Sequence, residues 1–301
     1  MKLSVRIIFT ALAFIAANAV MAQASASADE SEQLKIAALE ALMSAPAERA
    51  LPIVEKVLSG SHSNEVKMRA LFVLSQIDLP GAQALLLDTA KNGTGTFRLE
   101  AIRMIGISGD PAAMAGLADI YATGDSDAKS RVLHAYMIAD DVDAVYAIAA
   151  NATDDDEFEN AVHMLGIMGA NDELRNLRDK AGNSAVLIHA YAMAGDVESL
   201  RAMALDTSDP EKQAAAIQGL GIVGGEEVNA TLLEIYRGTD SEQVKEAALH
   251  GMLVADYDEG VLELFRSSQD GKEKRVLLRM LVMMDSEAAM EAIEKTLSGG
   301  Q

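Results

Sequence analysis

The sequence predicts an all-α solenoid of about nine helix pairs. Three observations carry this expectation: a unit of about 30 residues recurs along the chain, each unit has apolar columns at helical spacing, and the composition suits helix-on-helix packing. Half of the 301 residues are hydrophobic but only 4% are aromatic, with no Trp and no Cys. A core must therefore come from Ala, Leu, Ile, Val and Met, which favours close helix contact over β-sandwich strands rich in aromatics. The missing Cys also excludes disulfides, thiol nucleophiles and Cys-ligated zinc.

The repeat is read from nine positions, called rungs here: Glu40, Phe72, Arg103, His134, His163, His189, Gln218, His250 and Arg279, spaced 26 to 32 residues apart. The residue before each rung is aliphatic in all nine units, from Leu39 and Leu71 to Leu249 and Leu278. Two before and two after, the columns are again apolar, as in Ala101 and Ile105 or Ala216 and Leu220. Positions −2, −1 and +2 share one face of a 3.6-residue helix.

Each rung helix is expected to stop at a small or acidic residue: Asp78, Gly109, Asp140, Gly169, Gly195, Gly224, Asp256 and Asp285. Gly suits a helix C-terminus, while the Asp residues are expected to cap the next helix. Asp110-Pro111 and Asp209-Pro210 read as an N-cap followed by proline at the first helical position. Asp154 with Glu157, and Asp240 with Gln243, are candidate capping boxes. A second amphipathic helix is expected in every unit, for example over Ala112–Tyr121, Val228–Tyr236, Val261–Phe265 and Ala288–Leu297.

The run from Leu99 through Ala101, Ile105, Gly106 and Gly109 to Asp110-Pro111 resembles the HEAT-like repeat of the phycobilisome-lyase type, and Ala215 to Gly224 resembles it again. The family's Val-Arg position appears as Lys35, Lys67, Arg98, Lys129, Lys245 and Lys274, five residues before the rung, and is lost at Phe158, Ser184 and Gln213. The resemblance covers about residues 31–298. It implies that the rung helix lines the inner side of the solenoid. On function it is nearly silent, since such repeats occur in scaffolds, enzyme partners and a few lyases.

The N-terminus carries a separate signal. Lys2 and Arg6 precede an apolar run from Ile7 to Ala17, and Val20-Met21-Ala22 forms a small-residue cleavage site. Residues 1–22 read as a secretory signal peptide, with Ala24 and Ala26 as neighbouring sites. Residues 23–30 are expected to be a short flexible segment and 31–298 the solenoid, placed in a Gram-negative periplasm. No stable membrane insertion is expected after cleavage. Losing Lys2 and Arg6 leaves 23 basic against 46 acidic residues, a polyanion that repels nucleic acid and anionic headgroups.

At 100° per residue the rung points away from the −2, −1, +2 face. Four of the five His lie in this column, His134, His163, His189 and His250, joined by Arg103, Gln218 and Arg279. Position +4 lies about 40° from the rung and is apolar from the third unit onward: Ile107, Ile138, Ile167, Met193, Ile222, Val254 and Met283. Such a stripe either lines a binding groove beside the rungs or tucks under a neighbouring repeat.

Metal and catalytic readings are weaker. Helices ~8–10 Å apart hold consecutive rungs too far apart for His alone to share one ion. Solvent-facing histidines can still make binding pH-sensitive. Asp154, Asp155, Asp156 and Glu157, like Asp140 and Asp141, read as capping and solvation, without an EF-hand pattern. The basic column is expected to bury its stems and bond between repeats. Gly219, Gly221 and Gly224 spell a GxGxxG, but no strand precedes them. The methionines suit gap-filling better than copper binding. No cofactor is expected. The favoured function is an exported, non-enzymatic scaffold that binds a protein or peptide through Arg103, His134, Ile138, His163, Ile167, His189, Met193, Gln218, His250 and Arg279. The alternatives are an enzyme-accessory or lyase-type protein acting on a small ligand, and a divalent-cation-responsive protein.

Overall fold

The computed structural model describes residues 30–181, 185–285 and 287–298. The expected signal peptide (residues 1–22), all but the last residue of the 23–30 segment, and Ser184 lie outside the described residues. The helices are α1 (30–41), α2 (Ala47–Ser59), α3 (Asn64–Ser75), α4 (Pro80–Asn92), α5 (Gly95–Ser108), α6 (Pro111–Ala115), α7 (Leu117–Thr123) and α8 (Ser126–Ile138). They continue as α9 (Val142–Asn151), α10 (Asp155–Met168), α11 (Asn171–Asn176), α12 (Arg178–Ala181), α13 (Ala185–Ala194) and α14 (Val197–Ala204). Last come α15 (Pro210–Val223), α16 (Glu226–Gly238), α17 (Glu242–Val254), α18 (Asp258–Ser267), α19 (Gly271–Met283) and α20 (Glu287–Leu297). In chain order these make nine pairs, with α6–α7 and α11–α12 each serving as one broken partner. The fold is an all-α solenoid of HEAT-like helix pairs, and no strand occurs among the described residues.

The chain divides into two compact units between Ala139 and Asp140. In the first, the rung helices α3, α5 and α8 lie side by side; in the second, α10, α13, α15 and α17 do. Small residues set that closeness. A Cβ on Gly106 would stand 2.6 Å from the carbonyl oxygen of Ala135, and one on Gly166 would stand 3.1 Å from the Cα of Ala190. The second helices of the pairs approach one another less closely.

The three apolar columns form the core as expected except at the ends, where Ala38 is exposed and Leu42 and Leu278 are half-buried. Ala101, Ile102, Ile105, Ala216, Ile217, Leu220, Ala248, Leu249 and Met252 are all buried. Each large side chain among them contributes ~1.5–3 kcal/mol by leaving water.

The helix ends correct one expectation. Asp140 and Asp256 do not cap the following helix; they and Asp285 take positive φ values of 55°, 53° and 50° beyond their rung helices. They stand where other repeats use Gly109, Gly169 and Gly195, because Asp tolerates the left-handed region better than most residues. The next residue, Asp141, caps α9 by accepting from the Ala144 N–H at 3.1 Å. Both Asp-Pro devices form: Asp110 accepts from Ala112 and Ala113, and Asp209 from Glu211 and Lys212. Asp154 accepts from the Glu157 N–H at 2.8 Å, and the Glu157 carboxylate accepts from the Thr153 N–H. The box at Asp240 does not form, since Ser241 is the N-cap and makes no side-chain cap bond. The helix expected over Ala112–Tyr121 breaks at Gly116, where a Cβ would meet the end of the Leu87 side chain and displace it.

The basic column ties successive helices together. Arg98 donates through Nε to the Ala90 carbonyl at 3.1 Å, satisfying an orphan acceptor at the end of α4. Lys129, Lys245 and Lys274 stand over the rings of Tyr121, Tyr236 and Phe265 at 5.2, 5.5 and 5.7 Å. Where the column departs from the pattern, other groups take over. Gln213 donates to the Ala204 carbonyl at 2.9 Å, so this position keeps the bond without the charge. At Phe158 the ammonium comes from Lys180 of α12, which lies 5.6 Å over the ring. It donates to the carbonyls of Ala149, Ala150 and Ala152 at 2.8 to 3.0 Å.

Two polar networks lie inside the second unit. Asp196 is 2% exposed, caps α14 through Ser199 and accepts two bonds from Arg175 at 2.7 and 2.9 Å. Burial opposes its charge, but Arg175 and Ser199 outweigh burial and hold the carboxyl below its usual range. Glu273 accepts from Ser268 and, at 2.9 Å, from the Tyr236 hydroxyl. Burial and the Glu273 charge together push the Tyr236 phenol well above its usual range.

Candidate functional site

The two residue columns of interest emerge on the same side of the rung helices. His134, His163, His189, Gln218, His250 and Arg279 are exposed, whereas Arg103 is half-buried. The apolar +4 row does not tuck under a neighbouring repeat. Ile167 is 49%, Val254 48% and Ile222 60% exposed, and Ile138 and Met283 are also exposed. Ile107 and Met193 are half-buried. The cause is positional: +4 falls in the last turn, where the chain turns into the second helix and leaves the rung side uncovered.

The candidate residues fall into two patches, one in each unit. In the first unit, Arg103 is engaged by Glu100 of its own helix through two N–H bonds, Nε at 2.9 Å. The His134 Nδ1 lies 2.7 Å from the Ser130 carbonyl one turn back. Ile138 stands one turn beyond it.

In the second unit the residues form a broader array on α10, α13, α15 and α17. The imidazoles of His163 and His189 lie parallel within 8°, with centroids 6.3 Å apart. Neighbouring rungs thus approach more closely than ordinary interaxial spacing implies, because Gly166 and Ala190 let α10 and α13 pack tightly. Gln218 and His250 extend the polar row onto α15 and α17, and Ile167, Met193, Ile222 and Val254 run one turn beyond it. Arg279 and Met283 sit on α19, which packs chiefly on α18. Among the described residues, no group of three or more His, Asp or Glu is placed to hold a metal ion.

Between second helices three acids are paired: Arg201 of α14 meets Glu227 and Glu234 of α16, and Arg237 of α16 meets Glu263 of α18, while Glu226 of α16 and Glu259 of α18 are exposed without an ion pair among the described residues. On the rung side, Glu159, Glu211 and Glu246 are exposed, and among the described residues their carboxylates enter no ion pair or hydrogen bond. Glu159 and Glu246 lie one turn before His163 and His250, and Glu211 two turns before Gln218. Sequence reasoning passed over this third row, although the −4 and −7 positions carried the signal. A groove of about 360 Å³ opens beside it, lined by Asp154, Asp155, Phe158, Glu159, Lys180 and Val186.

The GxGxxG has no phosphate-binding context. Gly219 and Gly221 lie within α15, and Gly221 faces Gly251 of α17. No described helix is long and apolar enough to cross a membrane.

No protein-family model matches the sequence, and no curated protein does either. Solved structures give distant likenesses. Human deoxyhypusine hydroxylase in complex with glycerol is 17% identical, with 86% of this chain and 93% of that chain covered and a TM-score of 0.35. The complex of CpcE and CpcF of phycocyanin lyase from a Nostoc species is 16% identical, with coverages of 81% and 92% and a TM-score of 0.31. Likenesses of this size assign neither an activity nor a partner to the chain.

Proposed function

We propose that the protein is an exported, non-enzymatic adaptor that binds a protein or peptide across the exposed side of its rung helices, in the periplasm. The observation that carries this reading is the uncovered +4 row. Ile167, Ile222 and Val254 expose about half or more of their surface in line, beside a polar row. A protein that serves only as a packed helical stack gains nothing from aligned exposed aliphatics, and such a row favours association by burying apolar area. The His, Gln and Arg rungs supply polar contacts around it.

The test is affinity capture from a periplasmic extract with the chain lacking residues 1–22. The double substitution His163→Asp with Ile167→Asp is expected to abolish capture while leaving the helical content intact. Equal recovery of the same partner by both proteins would remove the reading.

A further inference from the structure

We propose that the rung face of the second unit takes a cationic amphipathic helix, laid across α10, α13, α15 and α17. This rests on the adaptor reading above and adds the chemistry of the partner. The face carries three parallel rows. Unpaired carboxylates of Glu159, Glu211 and Glu246 form one edge, His163, His189, Gln218 and His250 the middle, and Ile167, Met193, Ile222 and Val254 the other edge.

The dimensions fit one helix. From position −4 to +4 is eight residues, about 12 Å along α10 and α17, which matches the ~10–12 Å diameter of an α-helix with its side chains; Glu211, at −7 on α15, lies about 4.5 Å beyond that strip. Three steps of at most ~8–10 Å between neighbouring axes make the array at most about 27 Å long. A ligand helix of about 18 residues spans that length at 1.5 Å per residue.

Charge selects its sequence. Among the described residues the three rung-side carboxylates stand without an ion pair beside the aliphatic row, so this face offers a ligand a negative edge. A ligand whose apolar face meets the Ile row and whose flank carries Lys or Arg satisfies both edges together. An acidic helix meets three carboxylates, and a uniformly polar one leaves the aliphatics in water.

The experiment measures fluorescence anisotropy of labelled 18-residue peptides with the chain lacking residues 1–22. The probes are a Leu/Lys amphipathic helix, a scrambled peptide of the same composition, and a Leu/Glu amphipathic helix. The proposal expects the Leu/Lys helix to bind at least about tenfold more tightly than either of the others. Ile167→Ser with Ile222→Ser should cut its affinity at least about tenfold, and Glu159→Lys with Glu246→Lys should do the same. Equal binding of the scrambled peptide would reduce the effect to bulk charge and overturn the proposal. Binding that needs Ile167 and Ile222 but favours Leu/Glu, or ignores the Glu substitutions, would overturn the cationic assignment and leave the adaptor reading standing. If no amphipathic peptide binds while periplasmic capture still depends on His163 and Ile167, the helical occupant is wrong and the adaptor reading survives. If capture fails as well, both fall.

Discussion

Gly221 of α15 lies so close to Gly251 of α17 that a Cβ on the first would stand 2.5 Å from the Cα of the second. The contact is backbone against backbone, so no side-chain rotation relieves a larger residue. Gly221→Val is therefore expected to destabilise the protein by about 3 kcal/mol through overpacking. Gly271, with open space around its would-be Cβ, should accept Ala within about 0.5 kcal/mol. Urea unfolding of the two variants checks both values.

Arg175 and Asp196 set the response to acid. The Asp196 carboxyl is held below its usual range, so its contribution is present above the unfolded value near ~3.9 and is lost as pH falls through its folded value. Stability of the wild type should decline below about pH 4, and Asp196→Asn should flatten that part of the curve. Asp196→Ala leaves Arg175 without its partner and should cost about 3 kcal/mol at pH 7. Thermal unfolding from pH 3 to 7 reads both effects.

Tyr236 sets a limit at the alkaline end. Burial beside Glu273 raises its pKa, so its contribution is complete below the unfolded value near ~10 and fades as pH rises through the folded value. Ultraviolet titration should show the Tyr236 phenol ionising late. In Tyr236→Phe the absorbance of that one late phenol should be missing from the curve, at a cost of about 1 kcal/mol for the lost hydrogen bond.

Lys180 is a structural cation, although it lines a groove. Lys180→Met keeps much of the stem over Phe158 but leaves three carbonyls at the end of α9 without their donor. A loss of about 1–2 kcal/mol is expected. Hydrogen exchange should show the added opening in the last turn of α9, with α15 to α17 unchanged.

Exposed and buried isoleucines of one helix should part company. Ile222→Ser on α15 should change stability by less than about 0.5 kcal/mol, while Ile217→Ser, fully buried on the same helix, should cost more than about 3 kcal/mol. Equal losses at the two positions would mean that the +4 row is covered in solution.

The repeat, its core columns and the direction of the rungs were legible because they follow from helical periodicity alone. The exposure of Ile167 and Ile222 was not, because at 40° from the rung a residue stands on the boundary, and only the path of the following chain decides whether it is covered. Asp140 and Asp256 misled because Asp serves two backbone tasks, capping a helix start and tolerating positive φ, and the letter does not say which. Lys180 was invisible for another reason: it acts on α9 from about 30 residues away, outside any column. The parallel approach of His163 and His189 depends on the Gly166 and Ala190 contact, whose consequence for ring spacing appears only once both helices are placed.

The seam of Gly and Ala between rung helices has an evolutionary consequence. It lets neighbouring rung helices meet backbone to backbone above the aliphatic core, while the exposed rung residues stand outside that contact. Substitutions at the rungs are thereby released from selection for folding. Such a surface can be rewritten for a new ligand, or lengthened by duplicating a repeat, while the scaffold that displays it stays the same.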